Sequence, residues 1–145
     1  MSEVLEWQRG EFKISTDSSQ LQLEAIAAFL GTSYWAHQRS VATIQRSLES
    51  SLCFGVYTKN AQIGLARVVT DNATFAYLCD VYILEAHRGS GLGKWLMQTV
   101  FEHPDLQGVR RFMLATRDAH DLYAQYGFAP LERPERFMER FNSSV

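Results

Sequence analysis

The sequence has little of what staples, anchors or interrupts a chain. It holds two cysteines and three prolines in 145 residues. Cys53 and Cys79 lie far apart inside apolar runs, where a reduced buried thiol is the expected state, and no disulfide framework is indicated. The four histidines, His37, His87, His103 and His120, form no HExxH pattern and the cysteines no CxxC, so no metal site is expected. No 18 apolar residues run together, and the first ten residues carry Glu3, Glu6 and Arg9 where a signal peptide would be apolar; no membrane association and a cytoplasmic location are expected. Charge of one sign is lacking too. With 14 Lys and Arg against 16 Asp and Glu, the net charge is -2, which argues against nucleic-acid capture through clustered cations.

What is present reads as one domain over residues 1–145. No repeat or linker divides the chain, and Pro104, Pro130 and Pro134 all fall in its last third. At this length folding buries about 68% of the unfolded surface, enough for a core without staples. Glu11 to Ser15 predicts a short strand. Asp17, Ser18 and Ser19 then offer capping oxygens to a helix carrying Leu23, Ile26, Ala27 and Leu30 and ending near Gly31. Ser40 can cap a second helix through Val41, Ile44 and Leu48. From Leu52 the period changes to two, and a turn at Lys59-Asn60 makes a hairpin with Ile63, Leu65 and Val69. After Asp71-Asn72, the run Phe75 to Leu84 is apolar on both faces, as in a covered central strand, with Asp80 its only charge. A helix with Leu92, Trp95, Leu96, Thr99 and Val100 on one stripe follows, then a strand over Arg110 to Ala115. That succession implies a right-handed crossover and a parallel pair. Asp118 can cap a last helix through Tyr126, and Phe128 to Leu131 and Arg136 to Phe141 suggest a closing hairpin.

Between the covered strand and the helix stands His87-Arg88-Gly89-Ser90-Gly91-Leu92-Gly93-Lys94. Glycines there let backbone N–H groups turn outward and place an anion at the positive end of a helix. The spacing fits neither common nucleotide fingerprint. G-x-G-x-x-G fails, because the third position is Lys94 or Leu96, and a Walker loop fails because Arg88 and Trp95 stand where it needs Gly and Ser or Thr.

What remains, Arg88-x-x-Gly91-x-Gly93, resembles the Q/R-x-x-G-x-G/A pyrophosphate loop of the GNAT superfamily of acyl-CoA-dependent N-acyltransferases. The strand Val81 to Leu84 before it looks like that family's fourth strand. Ala119-His120-Asp121-Leu122-Tyr123-Ala124-Gln125-Tyr126-Gly127-Phe128 is similar to its A-x-x-L-Y-x-x-x-G-F segment. The resemblance covers essentially the whole chain. It implies an α/β (α+β) fold: a mixed, mostly antiparallel, twisted sheet of about six to seven strands, helices on both faces, and a central parallel pair splayed around acyl-CoA.

The resemblance also implies roles. Acetyl-CoA would be the cosubstrate, its pyrophosphate held by backbone N–H groups of Arg88, Gly89, Ser90, Gly91, Leu92, Gly93 and Lys94, and its pantetheine arm by backbone groups of Val81 and Ile83. The Val81 N–H corresponds to the oxyanion donor. Thr116 stands where the family often has an asparagine that contacts pantetheine. Tyr123 matches the tyrosine that protonates the departing thiolate, although helical spacing with Ala119, Leu122 and Tyr126 also suits a core aromatic. Asp80 is the candidate general base, since a lone carboxylate in an apolar strand is costly unless paired or used; a structural aspartate and deprotonation through water are the alternatives. Small glucosamine-phosphate acetyltransferases of the family carry a carboxylate at that place beside a second one, where this chain has Cys79. Simple alternation groups Asp80 with Leu78 and Tyr82, opposite Val81, although a bulge common in this strand of the family would change that. Tyr34, Trp35 and His37 are the candidate acceptor contacts, in the loop Ser33 to Arg39 that joins two helices overhanging the substrate in the family; its aromatics and cations suggest a small amine carrying an apolar or carboxylate group, or else Tyr34 and Trp35 cap the core while His37 and Arg39 stay solvated. The implied function is transfer of an acetyl group to a primary amine of a small molecule in a ternary complex. A non-catalytic acyl-CoA-binding module and a protein amine as acceptor are the alternatives, and a homodimer is possible through the charged tail from Arg133 to Arg140.

Overall fold

Side chains that alternate along the strands decide which helix each face meets. In the computed structural model, which describes residues 3–59 and 61–145, six strands form one sheet in the order of the chain. They are β1 (Glu6–Arg9), β2 (Phe12–Ser15), β3 (Leu52–Thr58), β4 (Ala61–Thr70), β5 (Phe75–Ile83) and β6 (Arg111–Leu114). All neighbours are antiparallel except β5 and β6, which are parallel. Phe54 and Val56 of β3 face α3 (Leu92–Glu102), packing with Leu92, Trp95, Leu96, Met97 and Val100. Cys53 faces the opposite way, toward Ile26 and Leu30 of α1 (Leu23–Leu30) and Ile44 and Leu48 of α2 (Val41–Glu49). Helices therefore cover both faces, as expected. Each large apolar side chain so buried contributes about 1.5–3 kcal/mol. Two glutamines dock α1 on the sheet: Gln22 N–H donates to Gln62 Oε1 at 2.8 Å and Gln62 N–H to Gln22 Oε1 at 3.1 Å.

Several expected boundaries shift. The first strand is a hairpin, β1 preceding β2, because Gly10 takes a positive φ of 58° and lets Glu6–Arg9 fold back onto Phe12–Ser15. Asp17 caps a 3₁₀ turn over Ser18–Gln20 and not α1, which begins after Gln22 without a side-chain cap. Ser40 does cap α2, accepting from Thr43 N–H. Of the Lys59-Asn60 turn, Asn60 lies outside the described residues. The last helix, α4, is short (His120–Ala124), and its start is held by Thr116 Oγ1 accepting from Ala119 N–H at 3.1 Å instead of by Asp118. The closing hairpin is absent among the described residues. Pro130 and Pro134 interrupt the run, Pro134 opens a 3₁₀ turn through Arg136, and Met138 and Phe141 stay exposed.

Two irregularities make room for a site. Arg67 of β4 pairs with Cys79 and Leu65 with Tyr82, so Asp80 and Val81 together oppose one residue. Asp80 takes a φ of 52° at this bulge, a region in which Asp is better tolerated than most residues. The bulge overturns simple alternation: Leu78 and Ile83 pack on the α3 side and Tyr82 on the α1–α2 side. In addition, β5 pairs with β6 only as far as Leu78 and Leu114, and runs on to Ile83 without that neighbour. Among the described residues no helix is long and apolar enough to cross a membrane.

Candidate active site

Two cavities open where β5 and β6 part. The smaller, about 300 Å³, runs from Val81, Tyr82 and Ile83 to the turn before α3, where Arg88, Gly89, Gly91, Leu92, Gly93 and Lys94 line it. Gly91 is the N-cap of α3 with a φ of 85°, it offers no side-chain cap, and no acidic residue occupies the first turn. The first N–H groups of an eleven-residue helix are thus left to donate to an anion. A Cβ at Gly89 or Gly91 would meet nothing within 4 Å, and one at Gly93 only Ile83 Cγ1 at 4.0 Å. The open space and the uncapped helix end fit a phosphate-bearing ligand. Arg88 is exposed, and its Nε donates to the Ile83 carbonyl at 2.8 Å, which ties the loop to β5 and engages an oxygen expected to face the ligand. Ser90 does not line the groove. Its hydroxyl donates to the His87 carbonyl at 3.2 Å.

The larger cavity, about 580 Å³, lies beneath the loop between α1 and α2. Tyr34, Trp35 and Arg39 of that loop line it, with Arg67, Tyr77, Cys79 and Asp80 from the sheet and Thr116, Arg117 and Asp118 from the β6–α4 loop. Val81 and Tyr123 line both cavities. Tyr123 is half-buried, its ring edge-on to Phe128, and burial, with a smaller contribution from Tyr34, pushes its phenol up. Asp80 is almost wholly buried. It accepts from Trp35 Nε1 at 2.8 Å, Arg39 Nη1 at 2.9 Å and Arg67 Nε at 2.8 Å. Burial raises its carboxyl, but the charge and hydrogen bonding of Arg67, then Arg39 and Trp35, outweigh burial and hold it below its ordinary value. Three of a carboxylate's roughly four acceptor positions are engaged, an arrangement suited to holding cations more than to taking protons near neutral pH.

Of the residues expected at the site, Asp80, Val81, Thr116, Tyr123, Tyr34 and Trp35 come together around the larger cavity, and Ile83 with the glycine turn around the smaller. Thr116 faces the larger cavity, its hydroxyl engaged at the start of α4. His37 is exposed and lines neither cavity, because the loop turns Trp35 and Arg39 inward past it. Both cysteines are free thiols, and burial pushes Cys79 up to about 11 and Cys53 to about 12, far from the thiolate a nucleophile needs. Arg39 belongs to the loop expected over the acceptor, and the structure draws it onto Asp80 where solvation was the alternative; Arg67 was not expected at the site. Arg67 is a lone cation within the apolar run Ile63 to Val69, the same signal that marks Asp80, and the hairpin register brings it beside Cys79.

The sequence profile of the Acetyltransferase (GNAT) family matches residues 3–128. The chain belongs to the GNAT acetyltransferase family. A crystal structure of a candidate GNAT acetyltransferase from Xanthomonas campestris pv. campestris is 47% identical, superposes with a TM-score of 0.90, and covers 95% of this chain and 98% of that one. A Gibberella zeae protein, FG08082, also a candidate acetyltransferase, is 38% identical over 142 residues, spanning 82% of this chain and 79% of the relative. A GNAT family acetyltransferase from Elizabethkingia anophelis with acetyl-CoA bound shares the fold at 14% identity, with a TM-score of 0.64 over 94% of this chain and 92% of that one. This GNAT chain is accordingly an acyltransferase.

Proposed function

We propose that the chain transfers an acetyl group from acetyl-CoA to a primary amine of a small molecule, directly and within a ternary complex. The observation that carries this reading is the position of Val81 and Tyr123, each of which lines both the glycine-turn groove and the larger cavity. When bound, acetyl-CoA supplies a thioester carbonyl that an amine nitrogen can attack, with the C–S bond breaking as the C–N bond forms. The uncapped end of α3 would hold the pyrophosphate. The Val81 N–H, on the stretch of β5 that β6 no longer accompanies, would donate to the thioester oxygen as negative charge develops there, a fixed dipole of the kind that supplies a large catalytic term. Tyr123 would give its phenolic proton to the departing sulfur. Its raised pKa keeps that proton in place at neutral pH. In this reading Asp80 positions Arg39, Arg67 and Trp35, and the ammonium proton of the acceptor leaves through water.

Calorimetric titration with acetyl-CoA, followed by a thiol-release assay over small amines and a lysine-bearing peptide, tests the reading. Binding and CoA release with a small amine are expected. Release with the peptide alone would move the acceptor to proteins, tight binding without release would make the chain a non-catalytic acyl-CoA-binding module, and absence of binding would overturn the reading.

A further inference from the structure

The larger cavity is unbalanced in charge. Arg39, Arg67 and Arg117 line it against two carboxylates, Asp80 and Asp118, so one positive charge stands in excess. The imbalance is sharpest at depth, where Arg39 and Arg67 share the single carboxylate of Asp80 and keep only 19% and 11% of their side-chain surface exposed. Withdrawing a cation from water is costly unless charge or hydrogen bonds replace the solvent. Arg67 is provided for, with Nε on Asp80 and Nη1 on Ser51 Oγ at 3.1 Å. Arg39 is held less fully: one of its five donors reaches Asp80, and the residue lines the cavity. Arg117 adds a third cation at the same cavity, its guanidinium 3.8 Å from the centre of the Tyr34 ring.

We infer that the acceptor is an amine that also bears an anionic group, a carboxylate or a phosphate, and that Arg39, assisted by Arg117, binds that group. This inference rests on reading the larger cavity as the acceptor site. An acceptor with only ammonium charge would bring like charge into a cationic cavity. An anionic group supplies the missing counter-charge in the geometry a guanidinium fork matches well. The same cations disfavour the protonated amine, which helps the acceptor to lose its proton where no free carboxylate is available to take it. Tyr34, Trp35 and Tyr77 line the same cavity and offer aromatic surface to an apolar portion between the two ends.

Matched probes isolate the anion. L-phenylalanine against its amide, and phosphoethanolamine against ethanolamine, are titrated calorimetrically into the CoA-saturated protein and compared in the thiol-release assay. In at least one pair the anionic member is expected to bind about tenfold more tightly than its neutral counterpart, and the pair that shows the larger ratio identifies carboxylate or phosphate. Arg39→Gln should collapse the ratio toward one, Arg39→Lys should keep part of it, and Arg117→Gln, at an exposed position that leaves the fold intact, should reduce it a few-fold. Equal or tighter binding of the neutral member in both pairs, no binding of any probe, or a ratio untouched in all three variants overturns the inference. Anion-selective binding without thiol release would leave the inference standing and remove the transferase reading, whereas release from neutral amines without anion selectivity would do the reverse.

Discussion

Tyr123 can serve as an acid only if it reaches the leaving sulfur still protonated. Under the proposed reading, its place on both cavities supports the first and its raised phenol the second. Replacing it by Phe keeps the ring that meets Phe128 and removes only the hydroxyl. Tyr123→Phe should therefore lower kcat by about 100-fold while the Kd for acetyl-CoA stays within about twofold, measured by steady-state kinetics beside calorimetry. Asp80 calls for a different experiment, because its bonds span three elements. Asp80→Asn leaves two guanidinium groups in the interior without their carboxylate, a loss of about 3–5 kcal/mol at pH 7. The folded carboxyl lies below its ordinary value, so its contribution is present above about pH 3.9 and is lost as pH falls through the folded value. Denaturant unfolding of the two proteins should differ most near neutrality and converge in acid. A general base would behave otherwise: unchanged stability, with the acid limb of the kcat profile gone.

At the scale of elements, the turn into α3 separates a conformational demand from a spatial one. Gly91 has a φ of 85°, so Gly91→Ala strains the backbone by about 1 kcal/mol although its Cβ would touch nothing. Gly93 lies inside the helix with ordinary φ, and a side chain there would extend into the groove. Gly93→Leu should keep or raise the melting temperature, since Leu favours helix more than Gly does, while weakening acetyl-CoA binding more than tenfold. Undiminished binding in a stable Gly93→Leu protein would mean that the groove does not hold the cofactor. This turn was legible in the sequence because its glycines, cations and flanking periods are local. The same holds for α1, α2 and the β3–β4 hairpin. The Asp80 bulge was open only as an alternative carried by the family resemblance and not from the local pattern, because its φ of 52° is imposed by β4 pairing on both sides of it and by hydrogen bonds from Trp35, Arg39 and Arg67. His37 and Arg39 lie two positions apart on an aromatic loop, and only the fold distinguishes the one left in water from the one drawn onto Asp80. The tail forms no hairpin for a local reason, two prolines within a run of alternating charge.

Across the whole molecule, one buried histidine ties the distant parts of the sheet together. His103, after α3, is 1% exposed, edge-on to Phe54 of β3 with ring centroids 5.5 Å apart and to Trp7 of β1 at 6.4 Å. Its Nδ1 accepts from Asp105 N–H at 3.1 Å, which places the proton of the neutral ring on Nε2, and that atom has no partner among the described residues. A charged imidazole here would sit against aromatic faces without solvent. Burial accordingly lowers its pKa from the ordinary 6.5, a shift that Asp105 opposes without reversing. The unfolded chain then binds the proton first. Stability from this site is fully present above about pH 6.5 and declines as pH falls toward the folded value, by up to about 1.4 kcal/mol per pH unit. His103→Asn keeps an acceptor for Asp105 and cannot titrate in this range. Between pH 6.5 and 5.5 the wild-type melting temperature should fall while that of the variant stays nearly level. Parallel curves would show that the joint between β1, β3 and α3 carries no proton-linked weakness, and that acid unfolding starts at the carboxylates instead.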